Sequence, residues 1–488
     1  MPVPSPGLPD PTRPQRPAAG RTSVDDRAAR IRFRRALSLM VMTLVAPGSA
    51  QIAAGNARVG RIALRIWLGS WALALLVLMA VVVDHGLAIS LAVSPSLLLL
   101  LRMAMLAGAV GWAVLFMDAW RLGQPLTLGM AHRRAVVGVN GLLCFSVAGT
   151  LLFGAHVLAV QRDFIVTMFG NGTATSANHG RYNVLLVGGD SGAGRWGLRP
   201  DSMTVASIDE VTGRTVLVSV PRNMKNFTFA PGSVMAKQFP DGFDADYVNG
   251  VSTWALDHTD LFPGDKDPGM DATISAVEGI TGLEINYWAM VNLQGFKDLV
   301  DAVGGVTLNV RQPIPVGLPG DYGYHFIQPG TRKLDGVDTL WYARARHTSD
   351  DYSRMARQKC VMNAMLQQIS PQVAVTRFEQ IAKASSELIS TDLPASELST
   401  FMSLALKAKS QKISTISLVP PMVNTADPDM DQLHSMVAKA VDSSEATPSS
   451  APKNKVRKKA EETVTGGSLG SLSTGYAANK SSDLSTAC

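Results

Sequence analysis

Cysteine is nearly absent. The 488 residues hold three, Cys144 in an apolar run, Cys360 further on and Cys488 at the last position. They show neither the spacing of a zinc site nor the density of a disulfide scaffold, so neither zinc nor redox chemistry is expected. Charge is also scarce, at 17% Asp, Glu, Lys and Arg against 46% apolar residues. This mixture is too apolar for a disordered chain and too polar for a pure transporter. The length allows about three domains, so the composition has to be resolved along the chain. The net charge of +6 does not imply a nucleic-acid partner. Eight arginines between Arg13 and Arg35, against Asp10, Asp25 and Asp26, account for most of it, and basic charge just before apolar runs marks membrane topology.

The apolar excess lies in residues 36–160, where Ile66 to Val83 and Ala135 to Val160 run without Asp, Glu, Lys or Arg. A bilayer core takes about 20 residues, so each is long enough to span it. Several long runs behind a basic head fit a permanent anchor, not a cleavable signal peptide. Residues 1–35 read as a basic cytoplasmic head and 36–160 as a transmembrane region. Pro47 and Gly48 interrupt residues 36–55, which read as a re-entrant or interfacial hairpin. Three crossings are expected, at about 62–83, 97–119 and 135–160. Arg58, Arg61, Arg65 and the Arg121 to Arg134 loop fall inside and Asp84 to Gly86 outside. Arg102 is read as snorkelling from the outer end of its span to the headgroups, with an intramembrane functional site as the alternative. An odd number of crossings from a cytoplasmic start places everything after residue 160 outside the cell.

Residues 161–180 read as a linker, since Phe169 to His179 is rich in Gly, Ser, Thr and Asn. Residues 181–420 read as an extracellular domain. Strands are expected at 182–187, 203–208, 215–220, 286–291, 305–310 and 412–418, and helices at about 269–281, 293–302, 351–370, 373–389 and 394–408. The alternation predicts a three-layer α-β-α fold. Residues 421–488 read as a low-complexity tail, disordered from about Ser443. Its cluster Lys453, Lys455, Arg457, Lys458 and Lys459 is read as solvated, with docking on anionic wall polymer or lipid as the alternative.

Several motifs in the exterior part suit phosphate chemistry. Asp190 and Asp201 lie a short loop apart at the ends of two strands, among arginines that include Arg199. Paired carboxylates of this kind suit a hard divalent cation bound together with a phosphate; ordinary turn chemistry is the alternative. Gly189-Asp190-Ser191-Gly192 also spells the tetrapeptide around the nucleophile of chymotrypsin-like proteases. The match is rejected, because the sequence upstream is membrane rather than β-barrel. Ser219-Val220-Pro221-Arg222-Asn223 presents Arg222 at a strand's carboxyl end, where ligands of open α/β sheets collect; a plain surface arginine is the alternative. Tyr342-Ala343-Arg344-Ala345-Arg346 reads as a strand with Arg344 and Arg346 on one face, which favours an anion between them. On the next helix Asp351, Arg354 and Gln358 share a face with Met355, Met362, Met365 and Ile369. Polar groups on such a stripe imply a cleft, unless Asp351 and Arg354 merely pair with each other.

Together these motifs resemble the LytR-CpsA-Psr family of bacterial cell-wall ligases. The matching stretches are NVLLVGGD (Asn183 to Asp190), RPDSM (Arg199 to Met203), SVPRN, the G-x-x-x-L-D-G of Gly330 to Gly336, YARAR and DYSRMARQ (Asp351 to Gln358). The resemblance implies a membrane-anchored phosphotransferase that moves a glycopolymer from a polyprenyl-diphosphate carrier to the 6-hydroxyl of N-acetylmuramic acid in peptidoglycan. It implies Mg2+ or Mn2+ on Asp190 and Asp201, and the diphosphate on Arg199, Arg222, Arg344 and Arg346. Asp351, Arg354 and Gln358 complete that wall, and Arg222, Arg344, Arg346 and Asp351 take the catalytic part. Two departures stand out: Arg199-Pro200-Asp201-Ser202 replaces the family's R-S-D-T, and Asn223 replaces the Asp of its P-R-D. The carrier's tail is expected in an apolar channel lined by Met235, Phe239, Ile274, Val277, Ile280, Phe296, Leu299 and Val300. Two other readings share the fold: a polyprenyl-diphosphate hydrolase, and a non-catalytic wall-binding or regulatory module.

Overall fold

A computed structural model of the chain describes residues 21–83, 85–169, 172–189, 199–346, 349–368, 389–445 and 476–488. Asp190 and most of the helix expected at about 373–389 lie outside the described residues. The chain divides into two units, Met1–Leu87 with Ser96–Ala159, and Ala88–Pro95 with Val160–Cys488.

The first unit is helical. Its elements are α1 (Arg21–Val45), α2 (Ser49–Ala54), α3 (Ala57–Val83), followed by α4 (His85–Val93), α5 (Pro95–Leu122) and α6 (Met130–Phe169), of which α4 and the end of α6 enter the second unit. The basic head is thus helical from Arg21. The helix breaks at Pro47 and Gly48: Gly48 has φ +94°, which a side chain would strain, and a Cβ on Gly60 would sit 2.5 Å from the Gly48 carbonyl oxygen. The short α2 therefore packs hard against α3. Gln51 is buried and donates to the Leu115 carbonyl at 3.0 Å. Three segments, Ala57–Val83, Pro95–Thr127 and Met130–Phe169, are long and apolar enough to cross a membrane. On α3 the apolar side chains Ile66, Leu73, Leu76 and Met79 are exposed, which in a water-soluble protein would be a liability.

The second unit is mixed α/β. Its strands are β1 (Arg181–Gly189), β2 (Pro200–Asp209), β3 (Thr215–Val220), β4 (Tyr287–Asn292), β5 (Val306–Val310), β6 (Ile314–Val316), β7 (His325–Ile327), β8 (Gly330–Leu334), β9 (Ile389–Thr391), β10 (Ile413–Ser417) and β11 (Lys480–Ser481). Its helices continue with α7 (Val234–Gln238), α8 (Val251–Asp257), α9 (Pro268–Thr281), α10 (Leu293–Ala302), α11 (Gly336–Arg344), α12 (Asp351–Gln368), α13 (Leu398–Lys409), α14 (Met430–Glu445) and α15 (Leu484–Ala487). Seven strands form one sheet in the order β11-β10-β3-β2-β1-β4-β9. The pairs β1 with β4 and β3 with β10 are parallel and the others antiparallel. One face carries Leu185, Met203, Val205 and Val218 against Met270, Ala276, Ile280, Leu433 and Val437 of α9 and α14. The other carries Leu217 and Ile413 against Ala356 and Cys360 of α12 and Leu484 of α15. Two small sheets, β5 with β8 and β6 with β7, build a satellite core with α11.

Helix starts follow the sequence. Asp267 caps α9 with Pro268 behind it, Asn292 caps α10, and Asp335 caps α11. This last cap corrects the expectation for Tyr342 to Arg346. The stretch up to Arg344 is the end of a helix, not a strand, because Asp335 accepts from the Asp338 amide at 2.9 Å and starts α11 at Gly336. Gly336 is required there, since a Cβ would sit 2.3 Å from the Lys297 carbonyl oxygen of α10.

Three further expectations are corrected. Of the residues read as a linker, 161–169 belong to α6, and further on the Tyr287 hydroxyl accepts from the Thr175 amide at 2.7 Å and Asn286 donates to the Ser176 carbonyl at 2.8 Å. The chain past 420 is not all tail: α14 buries Leu433 and Val437, and Tyr476 to Cys488 return to add β11 to the sheet edge. Finally, Cys360 and Cys488 form a disulfide, because α15 brings the terminal residue onto α12 with the two Cα atoms 5.4 Å apart. Spacing along the chain, 128 residues, could not show this.

The returning segment also covers Lys359, whose side chain is fully buried. Its Nζ donates to Ser417 Oγ and to Asn479 Oδ1, both neutral. Burial pushes the Lys359 ammonium down to about 7. The unfolded chain, with an ordinary lysine, therefore binds more protons than the folded one above about pH 7, and the stability of the second unit must rise with pH between about 7 and 10. The expected outcome is a melting temperature that climbs by several degrees over that range in the full-length protein. Lys359→Met should flatten the climb, as hydrogen exchange at the β10 amides can report. A pH-independent wild type would contradict the burial.

Candidate active site

One edge of the main sheet gathers the site. β1 ends there at Gly189, β2 begins there with Pro200 and Asp201, and β3 ends there before Pro221 and Arg222. The end of α11 and the start of α12 face it. A polar cavity of about 410 Å³ is lined by Arg199, Asp201, Arg222, Asn223, Tyr247, Asn249, Arg344 and Arg346. Of the residues expected from sequence, these include Arg199, Asp201, Arg222, Arg344 and Arg346.

Asp351 organises the arginines. It lies in the first turn of α12, where the helix dipole favours an anion. Its Oδ2 accepts from Arg354 Nη2 at 3.1 Å, and its Oδ1 lies 3.5 Å from Arg222 Nε and 3.6 Å from Arg346 Nη1. Arg222 also donates from Nη1 to Asp201 Oδ1 at 2.6 Å, and Arg354 donates from Nη1 to the Asp201 carbonyl at 2.8 Å. Burial opposes the charge on Arg354 and lowers its pKa, while the Asp351 carboxylate is the main opposing influence. The Asp351 and Arg354 pair foreseen from their i,i+3 spacing does form, but as one edge of this larger network. Arg199 lies 3.5 Å from Asp246, and the Arg344 guanidinium lies 5.2 Å from the Trp341 ring. Four guanidiniums, those of Arg199, Arg222, Arg346 and Arg354, thus meet three carboxylates, Asp201, Asp246 and Asp351, and Arg344 adds a fifth, which leaves the cleft positive and suited to an anion.

An apolar cavity of about 300 Å³ opens beside it between the sheet and α10, α11 and α12, and the two share Asp201 and Arg344. Its apolar lining includes Leu186, Ala289, Met290, Leu299, Leu340 and Met362, with Arg354 and Gln358 among its polar wall. Gln358 accepts from Ser202 Oγ at 3.0 Å, which ties α12 to β2. Of the residues expected to line an apolar channel, Phe296 and Leu299 do so. Val300 belongs to the satellite core, and Val277 and Ile280 lie in the core on the sheet's other face. Met235 and Ile274 line a separate cavity there, and Phe239 packs nearby. The periodicity identified apolar positions but carried no information about which face of the sheet they cover.

Sequence reasoning missed three contributors. Tyr247 and Asn249 reach the polar cavity from the loop before α8, with no local pattern to mark them. Arg357 is buried and donates from Nε to the Tyr342 carbonyl at 2.6 Å, from Nη1 to Ser349 Oγ at 3.2 Å and from Nη2 to the Ala345 carbonyl. It thereby fixes the end of α11 and the turn that carries Arg346. Its signal was present as the second arginine of Arg354-Met355-Ala356-Arg357, one helical turn on.

For a divalent cation, the described residues offer Asp201, whose side chain is 35% exposed and lines both cavities. Among the described residues no group of three or more His, Cys, Asp and Glu side chains gathers that could hold a metal. One carboxylate beside a positive cleft suited to an anion fits Mg2+, which takes one or two carboxylates and fills its shell with anion oxygens and water.

A model of the LytR_cpsA_psr family matches residues 159–444, more than half of the chain. The chain belongs to that family. It is 31% identical over 225 residues to the polyisoprenyl-teichoic acid–peptidoglycan teichoic acid transferase TagU of Oceanobacillus iheyensis, covering 45% of this chain and 61% of that one. It is 24% identical over 267 residues to biofilm regulatory protein A of Streptococcus mutans, covering 53% of this chain and 61% of that one. The match thus spans 61% of each of these two curated relatives. A crystal structure of Bacillus subtilis TagV is similar at 22% identity with a TM-score of 0.41, over 56% of this chain and 100% of that one.

The role of Arg357 can be tested apart from the cleft residues. Arg357→Met keeps most of the side-chain volume but frees the end of α11. Affinity for inorganic diphosphate, measured by calorimetry well below the melting temperature, is expected to fall about tenfold or more, as loss of a charge-assisted bond of about 1.5–3 kcal/mol implies. Unchanged affinity would leave Arg357 as packing alone.

Proposed function

We propose that this chain is a membrane-anchored phosphotransferase that moves a glycopolymer from a polyprenyl-diphosphate carrier to the 6-hydroxyl of N-acetylmuramic acid in peptidoglycan. One observation carries the proposal: an arginine-rich cleft and an apolar cavity meet at Arg344 and Asp201. That juxtaposition fits a ligand with a doubly anionic head and a hydrocarbon tail. Membership of the family supports the reading, as does TagU of Oceanobacillus iheyensis, a relative named as a transferase from polyisoprenyl-teichoic acid to peptidoglycan. The three long apolar helices are taken to cross the membrane and to deliver the α/β unit to the exterior, where peptidoglycan lies.

In this reading Arg222, Arg344 and Arg346 bind the diphosphate, and the planar guanidinium of each can grip two oxygens. Arg199 guards the mouth of the cleft, and Asp351, Arg354 and Gln358 hold the wall in register. The acceptor hydroxyl attacks the phosphorus that bears the sugar. The bond to the carrier's phosphate breaks, and prenyl monophosphate leaves with the electron pair. Phosphoryl transfer asks little covalent chemistry of a protein, so the fixed positive charge of the cleft supplies most of the acceleration. Asp201, with Asp190 from outside the described residues, would hold Mg2+ or Mn2+, which would supply positive charge against the negative charge that develops in the transfer. Asn223 lines the cleft as a neutral group, and its Oδ1 is buried without a hydrogen-bond partner. A carboxylate at that position is therefore not needed to brace Arg222, which Asp201 and Asp351 already hold.

Purified full-length protein, given a carrier-linked donor and peptidoglycan fragments, should yield the phosphodiester-linked product and prenyl monophosphate. Release of prenyl phosphate without a linked product would mark a hydrolase, and tight binding without turnover a non-catalytic module. Arg344→Lys keeps the charge but loses the planar fork, so turnover should fall about tenfold to hundredfold, as loss of a charge-assisted bond of about 1.5–3 kcal/mol implies. Ala289→Trp should fill the apolar cavity and weaken binding of a long-chain carrier more than that of inorganic diphosphate. Equal weakening of both would separate the tail from this cavity.

A further inference from the structure

The largest cavity described, of about 1000 Å³, takes no part in the site above. It is a groove between β10, β11 and α14, and four cationic side chains line it: Arg214, Lys412, Lys439 and Lys480. Serines from the same elements, among them Ser414, Ser443 and Ser481, fill the wall between them. Two of the nearby acids, Asp483 and Glu445, are already engaged. Asp483 lies 3.4 Å from Lys412, and Glu445 is held by Arg181 at 3.0 Å. Arg214 donates to the carbonyls of Ser444 and Glu445 at the end of α14, while Lys439 and Lys480 stand exposed. Ser414 Oγ is buried against the groove with no hydrogen-bond partner.

The groove runs along the β10–β11 edge of the sheet, and Arg214 and Lys412 lie at its end opposite the cleft. Arg214 immediately precedes β3 and Arg222 follows its end, and β10 runs parallel with Ile413 opposite Thr215. At about 3.3 Å per residue, the length of β3 separates the two by about 20 Å. No single diphosphate group reaches both, whereas a polymer does.

We propose that this groove is a second binding site, for a chain polymer with repeating phosphate groups such as a poly(alditol phosphate). A row of ammonium and guanidinium groups interleaved with hydroxyls pairs with spaced phosphates and with the hydroxyls between them. A bilayer surface cannot follow a concave groove, and the larger apolar residues lining it, Ile416 and Met436, are buried or half-buried and so cannot insert. Residues 446–475 carry five basic residues against Glu461 and Glu462, a charge of the same sign as that of the groove. The polymer's identity with the transferred glycopolymer rests on the proposed function; its binding here does not.

The test uses full-length protein in nanodiscs of neutral lipid, with fluorescent poly(glycerol phosphate) lacking any prenyl group as the probe. The wild type should bind, and binding should weaken as salt rises. Lys439→Ala with Lys480→Ala should weaken it about tenfold, equivalent to about 1.4 kcal/mol, and leave affinity for a short-chain prenyl diphosphate unchanged. Arg344→Ala with Arg346→Ala should do the reverse, so failure of the cleft reading and failure of the groove reading are distinct results. Lys458→Ala serves as the control for the remaining basic sequence. The proposal is overturned if the wild type does not bind the probe, or if the double lysine variant binds it as the wild type does. It is overturned equally if that variant loses only attachment to vesicles of anionic lipid.

Discussion

Several guanidinium groups have to be held close together before any ligand arrives, and the second unit is arranged around that constraint. Like charges at this spacing repel, and the repulsion grows as water is excluded. Asp351 answers it by facing Arg222, Arg346 and Arg354 at once, from 3.1 to 3.6 Å. Its position in the first turn of α12 adds the helix dipole to its own stability as an anion. Because the carboxylates are outnumbered, the cleft keeps a net positive charge. The partners hold the arginines in place without neutralising them.

The helices that frame the cleft are fixed from outside it. Arg357 ties the end of α11 to α12, Gln358 ties α12 to Ser202 on β2, and the chain's last residues tie the far side of α12 through Asn479 and the Cys360 disulfide. A charged cleft beside an apolar cavity has little cohesion of its own, since neither wall packs against the other. Its shape therefore depends on these peripheral ties, one of which reaches Tyr352, the residue after Asp351.

The long apolar helices and the sheet were legible in the sequence because each announces itself locally. Unbroken apolar runs mark α3, α5 and α6, and β1 to β4 appear as short apolar stretches bounded by turns. The charged members of the cleft were legible as well, since buried charge needs partners and its clustering is visible in YARAR and DYSRMARQ. The YARAR element was misread because its last five residues carry strand-like alternation, while the cap that decides it lies at Asp335, seven residues earlier. The tail was misread because low complexity over residues 446–475 hides that the chain comes back.

The sequence by itself determined that the chain has long apolar helices, an α/β unit and a cluster of arginines, because hydrophobic length, periodicity and charge clustering are properties of neighbours along the chain. Only the tertiary structure decided which apolar residues face the cavity, since Ile280 and Leu299 look alike until the sheet separates them. It alone paired Cys360 with Cys488, brought Tyr247 and Asn249 to the cleft and set Lys359 among neutral groups. Each of these joins residues far apart in sequence, and contacts of that kind arise only when the chain closes on itself.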